Sequence, residues 1–157
     1  FGAKDVHDLS WKSLLDAYTC TECGRCSDVC PASLTGKKLS PRKIMIDTRD
    51  RLEEIGRNRK SPQWPIIDDG KSLLNDYITQ EELLACTSCN ACVDACPILI
   101  NPLTIILELR RYQIMDVAVA PTTWNSMFTA IETNQSPWKF SPGDRFNWSQ
   151  EINKSNS

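Results

Sequence analysis

Cys20-Thr-Glu-Cys23-Gly-Arg-Cys26-Ser-Asp-Val-Cys30-Pro31 is answered, 66 residues later, by Cys86-Thr-Ser-Cys89-Asn-Ala-Cys92-Val-Asp-Ala-Cys96-Pro97. Both stretches read C-x2-C-x2-C-x3-C-P, with threonine after the first cysteine and aspartate two before the last. Together they use all eight cysteines of the 157-residue chain. One such run is a moderate signal; two in register are a strong one.

Thiolates are soft ligands suited to iron–sulfur clusters, and a four-iron cube takes one thiolate per iron. Three cysteines spaced by two residues wrap one cube in a tight turn. The fourth lies about one helical turn further on and points away, free to reach a second cube. Applied here, one [4Fe-4S] cluster is expected on Cys20, Cys23, Cys26 and Cys96. A second is expected on Cys86, Cys89, Cys92 and Cys30. No iron is then left open for substrate, so the expected role is one-electron relay, with no active site in the chain itself. Pro31 and Pro97 are expected to turn the chain away from each cube. Crossed ligation staples each motif to the far end of the other, which couples metal binding to folding.

Other cysteine chemistries fit less well. Structural zinc favours cysteine pairs separated by a longer loop. Disulfide scaffolds are short, secreted and poor in helical pattern, and cysteines three apart in a turn bridge poorly. A substrate-binding cluster in an enzyme subunit requires a three-cysteine centre, which the count denies. A structural or redox-sensing iron–sulfur module is the remaining alternative to relay.

Net charge is −2, which argues against nucleic acid as a partner. Positive charge gathers between Gly36 and Lys60: Lys37, Lys38, Arg42, Lys43, Arg49, Arg51, Arg57, Arg59 and Lys60 against Asp47, Asp50, Glu53 and Glu54. That stretch reads as a solvated helix face, with docking to an acidic partner or an anionic membrane as the sharper reading. There is no signal peptide, and the longest apolar run, around Ile98–Leu109, is broken by Asn101, Pro102, Thr104 and Glu108. Because the first residue is Phe1 and not Met, the chain is read as a piece of a longer protein, with membrane association through a region ahead of it. Reduced thiols and cluster assembly point to the cytoplasm, including the cytoplasmic face of the membrane.

The flanks read as helix. Ser10 caps a helix whose apolar side is Trp11, Leu14, Leu15 and Tyr18, with Trp11 and Tyr18 packing around the first cluster. Ser40-Pro41 starts a second helix with Ile44, Thr48, Leu52 and Ile55 on one face and Gly56 as its stop. Residues 57–70 read as loop. Thr79-Gln-Glu-Glu82 is a capping box leading into Cys86. Asn101-Pro102 repeats the cap-plus-proline signal before Ile105, Ile106, Leu109, Tyr112 and Met115. A last helix is expected over 122–133, then an aromatic segment (Trp138, Phe140, Phe146, Trp148) serving as core or as an exposed patch. No period-two alternation persists, so the expected class is all-α. The expected division is a dicluster domain over 1–148 and a flexible tail over 149–157. Arg25 and Arg110-Arg111 are candidates for tuning a cluster or for ion pairing; His7 is read as a surface residue.

The paired motifs, the 55 residues between Cys30 and Cys86, and the helical flanks resemble the α-helical ferredoxin domain. That domain occurs in the iron–sulfur subunit of succinate dehydrogenase and the small iron–sulfur subunit of heterodisulfide reductase. Leu109-Arg110-Arg111-Tyr112 and Ser136-Pro137-Trp138, with Arg145 and Trp148, resemble the heterodisulfide reductase branch. The similarity runs from about Trp11 to Trp148. In the succinate dehydrogenase branch the second position of motif two is not cysteine and the cluster has three irons. Here it is Cys89, so the resemblance implies two four-iron clusters. It further implies a membrane-associated iron–sulfur oxidoreductase. Electrons would pass between a membrane cytochrome-like or flavin partner and a cysteine-rich catalytic subunit, whose CCG signature is absent from this chain. A βαββαβ ferredoxin is the rival fold, but its motifs lie much closer together.

Overall fold

A computed structural model of the chain describes residues 1–58, 69–149 and 152. The described residues form two compact units, Phe1–Ala118 and Val119–Ser157. Most of the loop expected over 57–70, and most of the tail expected over 149–157, lies outside the described residues, as do Arg59 and Lys60.

Helices dominate, in keeping with the all-α expectation; the one β-pairing among the described residues is an isolated bridge between Leu74 and Ile78. Ser10 caps α1 (Trp11–Thr19) by accepting from the Ser13 amide. α2 (Arg25–Asp28) and α3 (Pro31–Leu34) are single turns inside and after the first cysteine run. α4 (Pro41–Asn58) starts where Ser40 accepts from the Lys43 amide. It continues through Gly56, where a stop was expected, because a glycine within a helix costs only about 1 kcal/mol and need not end it. α5 (Gln80–Ala85) opens with the Thr79–Glu82 capping box, both halves formed. α6 (Ala91–Asp94) lies inside the second run. α7 (Pro102–Arg111) is capped by Asn101, which accepts from the Thr104 amide.

The sequence repeat is also a repeat of backbone. Glu22 and Ser88 both have φ +57, and Gly24 and Asn90, at φ +87 and +62, are the residues on which α2 and α6 begin. Ser27 and Val93 donate to the carbonyls of Gly24 and Asn90, and Cys30 and Cys96 to those of Ser27 and Val93. Two left-handed residues per run bend the chain sharply around its second cysteine, a conformation that glycine and asparagine tolerate best. The copies diverge after the proline. Pro31 opens α3, whereas the second copy turns at Leu99 (φ +58) and reaches its cap five residues sooner.

The core of the first unit lies between α4 and α7, with Ile44, Met45, Leu73, Leu83, Ile105, Ile106 and Leu109 all at most 1% exposed. Burying each such side chain contributes about 1.5–3 kcal/mol. The buried face of α1 is only partly the expected one. Leu14 packs against the core and Ser13 and Ala17 face inward, while Trp11, Leu15 and Tyr18 are 76%, 51% and 52% exposed. Small residues let the α1 backbone approach α4 and α7, so those three bulky residues are left outward. Met115 is likewise exposed, because α7 passes into a π-helical turn over Tyr112–Asp116 that rotates it away.

The N-terminal segment is pinned against α7: Ala3 donates to the Glu108 carbonyl, and any Cβ on Gly2 would overlap the Tyr112 nitrogen. Arg51 is buried, bonded to Asp5, Asp69 and the Lys71 carbonyl. In the second unit, α8 (Thr122–Asn134) ends on Gln135 in the left-handed region, and a 3-10 turn follows over Pro142–Phe146. Trp138, Phe140, Phe146 and Trp148 are all exposed, so they form no core.

Candidate cluster site

Two cavities of the first unit are lined by cysteines. One is lined by Cys20, Cys23, Cys26 and Cys96, with Cys92 on its wall, and closed by Met45, Ile98, Ile100 and Pro102. The other is lined by Cys30, Cys86, Cys89 and Cys92, and closed by Pro31, Leu39, Pro41, Leu103 and Ile106. The first cavity therefore gathers three cysteines of the first run with Cys92 and Cys96 of the second, the other gathers three of the second run with Cys30, and α2 packs on α6 where the runs meet. All eight cysteines are free thiols. Among the described residues no three His, Cys, Asp or Glu side chains converge closely enough for one metal ion. Sulfurs that ring a space without meeting at a point suit a cube of irons better than one tetrahedral zinc.

The thiol environments differ. Burial pushes the Cys92 thiol up to about 11, helped by its neighbours Cys86, Cys26 and Cys30, and burial also raises Cys26. The Ala91 amide and the Thr87 hydroxyl lower exposed Cys89. Thiols that burial holds protonated give up those protons when a soft cation arrives, so cation binding and proton release are coupled here. Backbone N–H groups already point at sulfur: Ser88 donates to Cys86 Sγ and Ile100 to Cys96 Sγ, each at 3.4 Å. Their left-handed bends, at Ser88 itself and at Leu99 just before Ile100, aim these donors. Such bonds to a ligating sulfur raise the potential of a bound cluster. The residues present fit the group.

Arg110 braces the second run. Its guanidinium donates to the carbonyls of Leu83 and Cys86, the latter at 2.5 Å, and to Ser88 Oγ at 3.4 Å. Arg111 instead pairs with Glu108 at the surface. The first run has a counterpart. Counting from the two cap-proline starts, Ser40-Pro41 and Asn101-Pro102, Arg49 occupies the place of Arg110, and it reaches Glu22, the residue matching Ser88, at 2.5 Å. The pattern of the motifs alone passes over Arg49 and Glu22; aligning the helices on their caps would have found them. His7 is exposed and lines neither cavity, and neither do Trp11 and Tyr18, against expectation.

Of the seven described cations in the basic stretch, Lys38, Lys43, Arg49 and Arg51 are paired internally. Lys38 pairs with Glu81, Lys43 with Asp47 and Glu82, and Arg51 with Asp5 and Asp69. No helix among the described residues is long and apolar enough to cross a membrane.

Residues 19–100 match the family described as 4Fe-4S dicluster domain. Curated relatives include the probable iron-sulfur-binding oxidoreductase FadF of Bacillus subtilis, 34% identical over 97% of this chain and 26% of that protein. The EtfAB:quinone oxidoreductase of Syntrophomonas wolfei is 31% identical over 96% of this chain and 24% of its own. A component of the ferredoxin/F(420)H(2)-dependent CoB-CoM heterodisulfide reductase of Methanosarcina acetivorans is 30% identical over 68% of this chain and 52% of its own. The chain spans about a quarter of the length of the first two relatives. With helices that carry both cysteine runs to a shared centre, it is an iron–sulfur electron-transfer domain of the oxidoreductase-related kind, and it belongs to the 4Fe-4S dicluster domain family.

Proposed function

We propose that the chain holds two [4Fe-4S] clusters, on Cys20, Cys23, Cys26 and Cys96 and on Cys86, Cys89, Cys92 and Cys30. It relays electrons between a membrane or flavin partner and a cysteine-rich catalytic subunit, on the cytoplasmic side of a membrane. The reading is supported by one observation: Cys96 of the second run lines a cavity with Cys20, Cys23 and Cys26, and Cys30 of the first run lines another with Cys86, Cys89 and Cys92, while Cys92 lines both. Relatives whose names join EtfAB to a quinone, or belong to a heterodisulfide reductase, support a relay placed between two redox partners.

When bound, such clusters supply reversible one-electron chemistry. The chain's own residues hold and tune. Arg110 fixes the Cys86 loop through its carbonyls, and the Arg49–Glu22 pair spans from α4 to the Cys20 loop. Ile100, Leu103 and Ile106 keep water from the inner walls, which protects sulfide and lowers the local dielectric.

Anaerobic iron and sulfide analysis, with electron paramagnetic resonance of the reduced chain, tests the reading. About eight irons per chain, four for each of two cubes, and a spectrum of two interacting centres are expected. Crossing is tested separately: Cys30→Ser is expected to alter the same signal as Cys86→Ser. A Cys30→Ser spectrum that matches Cys20→Ser instead would overturn the ligation. Reversible cycling on redox titration separates relay from a purely structural role.

A further inference from the structure

The two cavities differ in charge at their mouths. The second is rimmed by Thr87 and Asn90 and has no charged residue in its lining. The first is lined by Glu22, Arg25 and Arg42. Glu22 is neutralised by Arg49, but neither Arg25 nor Arg42 forms an ion pair among the described residues. Asp28, at the other end of α2 from Arg25, is outside the lining. Arg42 is held in place: its amide donates to Ser27 Oγ, Ser27 and Ser40 share a hydrogen bond at 2.8 Å, and its Nη1 lies beside Gly24. Two apolar side chains adjoin in the chain here: Ile98 is half exposed in the same lining, and Leu99, the next residue, is 78% exposed in a left-handed conformation that suits a leucine poorly. Exposed Cys23 sits in the same mouth.

We propose that Arg25 and Arg42, with Ile98 in the same lining and Leu99 following it, form the electron port of this chain and dock an acidic face of a redox protein. The inference rests on the dicluster reading above. Two cations without a carboxylate partner offset, at this mouth, the negative charge of a four-thiolate cluster and of a chain of net charge −2, which orients an acidic partner over this mouth and away from the rest. The two apolar side chains supply the dry centre of the contact, and the guanidinium groups its rim.

The test follows oxidation of the dithionite-reduced chain by two small probes in stopped flow: ferricyanide, a trianion, and tris(phenanthroline)cobalt(III), a trication. Each takes one electron from the reduced chain and becomes ferrocyanide or the cobalt(II) complex. Salt is varied from roughly 0.01 M to roughly 0.5 M, over which the screening length falls from about 30 Å to a few ångströms. The port predicts that the ferricyanide rate falls several-fold with salt while the cobalt rate rises; the net charge alone predicts the reverse. Arg25→Glu with Arg42→Glu is expected to invert both slopes. Lys4→Glu with Lys37→Glu, the same change in net charge away from both cavities, leaves their signs alone. Wild-type slopes that follow the net charge, or slopes unmoved by the arginine variant, would overturn the port. Cosedimentation with phosphatidylglycerol vesicles that is lost in the arginine variant would assign the surface to lipid and overturn protein docking. Iron content is measured on every sample first, so failure of the dicluster reading registers as missing iron, separately from the slopes.

Discussion

Arg51 is the residue whose loss should be felt most outside the cysteines. It is 2% exposed, and its guanidinium makes six hydrogen bonds. Nε donates to both Asp5 carboxylate oxygens at 3.1 Å, and Nη2 to Asp5 Oδ2 at 2.7 Å. Nη1 and Nη2 reach Asp69 at 2.6 and 2.8 Å, and Nη2 also reaches the Lys71 carbonyl at 2.7 Å. Asp5 in turn accepts from the amides of Val6 and Leu73, so one cation ties the N-terminal segment, α4 and the chain after Gly70 together. Arg51→Met keeps most of the stem volume but leaves two carboxylates facing each other. Removing one partner of a buried ion pair costs about 3–5 kcal/mol, a large share of the ~5–15 kcal/mol that holds a domain together. With a urea slope of about 2 kcal/mol per molar, the unfolding midpoint should drop by roughly 1.5–2.5 M. The assay is anaerobic urea denaturation followed by far-ultraviolet circular dichroism. Adding Asp5→Asn and Asp69→Asn to Arg51→Met should recover part of the loss, because the orphaned charges are then gone. A midpoint shift below about 0.5 M, or a triple variant no better than the single, would refute the reasoning.

Three further outcomes are expected. Gly2→Ala should cost more than about 2 kcal/mol, since φ +78, the Tyr112 nitrogen overlapping the new Cβ and the Glu108 carbonyl oxygen 2.5 Å from it leave no room; a smaller change in the same urea assay would show the segment is free to lift off α7. The Arg51 guanidinium holds Asp69 down at about 2, below its usual 3.8, so its stabilisation is present above roughly pH 4 and is lost as pH falls toward 2. Asp69→Asn should therefore flatten the acid limb of the stability profile; Asp47, raised by burial, contributes with the opposite sign and should not. Finally, removing iron with a chelator under reducing conditions should collapse the helical circular dichroism, and a fully helical iron-free chain would count against crossed ligation.

Helix starts were legible without coordinates because a cap is a local bargain between one side chain and an amide two or three residues on: Ser10, Thr79 and Asn101 all do what their spacing implies. The cysteine inventory was legible for the same reason, since a ligand run is read from spacing alone. Periodicity was less reliable for α1. Of its stripe of Trp11, Leu14, Leu15 and Tyr18, Leu14 packs on the core while the other three stay exposed, and Ser13 and Ala17 supply the rest of the buried face. Which face is buried depends on how closely neighbouring helices approach, and that is a property of α4 and α7, not of α1.

What this sequence determined by itself is therefore short-range: eight thiols in two matched runs, the helices that lead to them, and an all-α class. Only the tertiary structure decided that Lys38, Lys43, Arg49 and Arg51 of the basic stretch are spent on internal pairs, that Arg51 is buried, and that Arg49 and Arg110 occupy matching places beside the two runs. It also decided that two arginines remain unneutralised at one cavity and none at the other. The physical reason is reach. A hydrogen bond to the next turn is written in adjacent residues, whereas a charge acquires its meaning from whatever carboxylate or cavity the fold brings beside it, often 20 to 46 positions away in the chain.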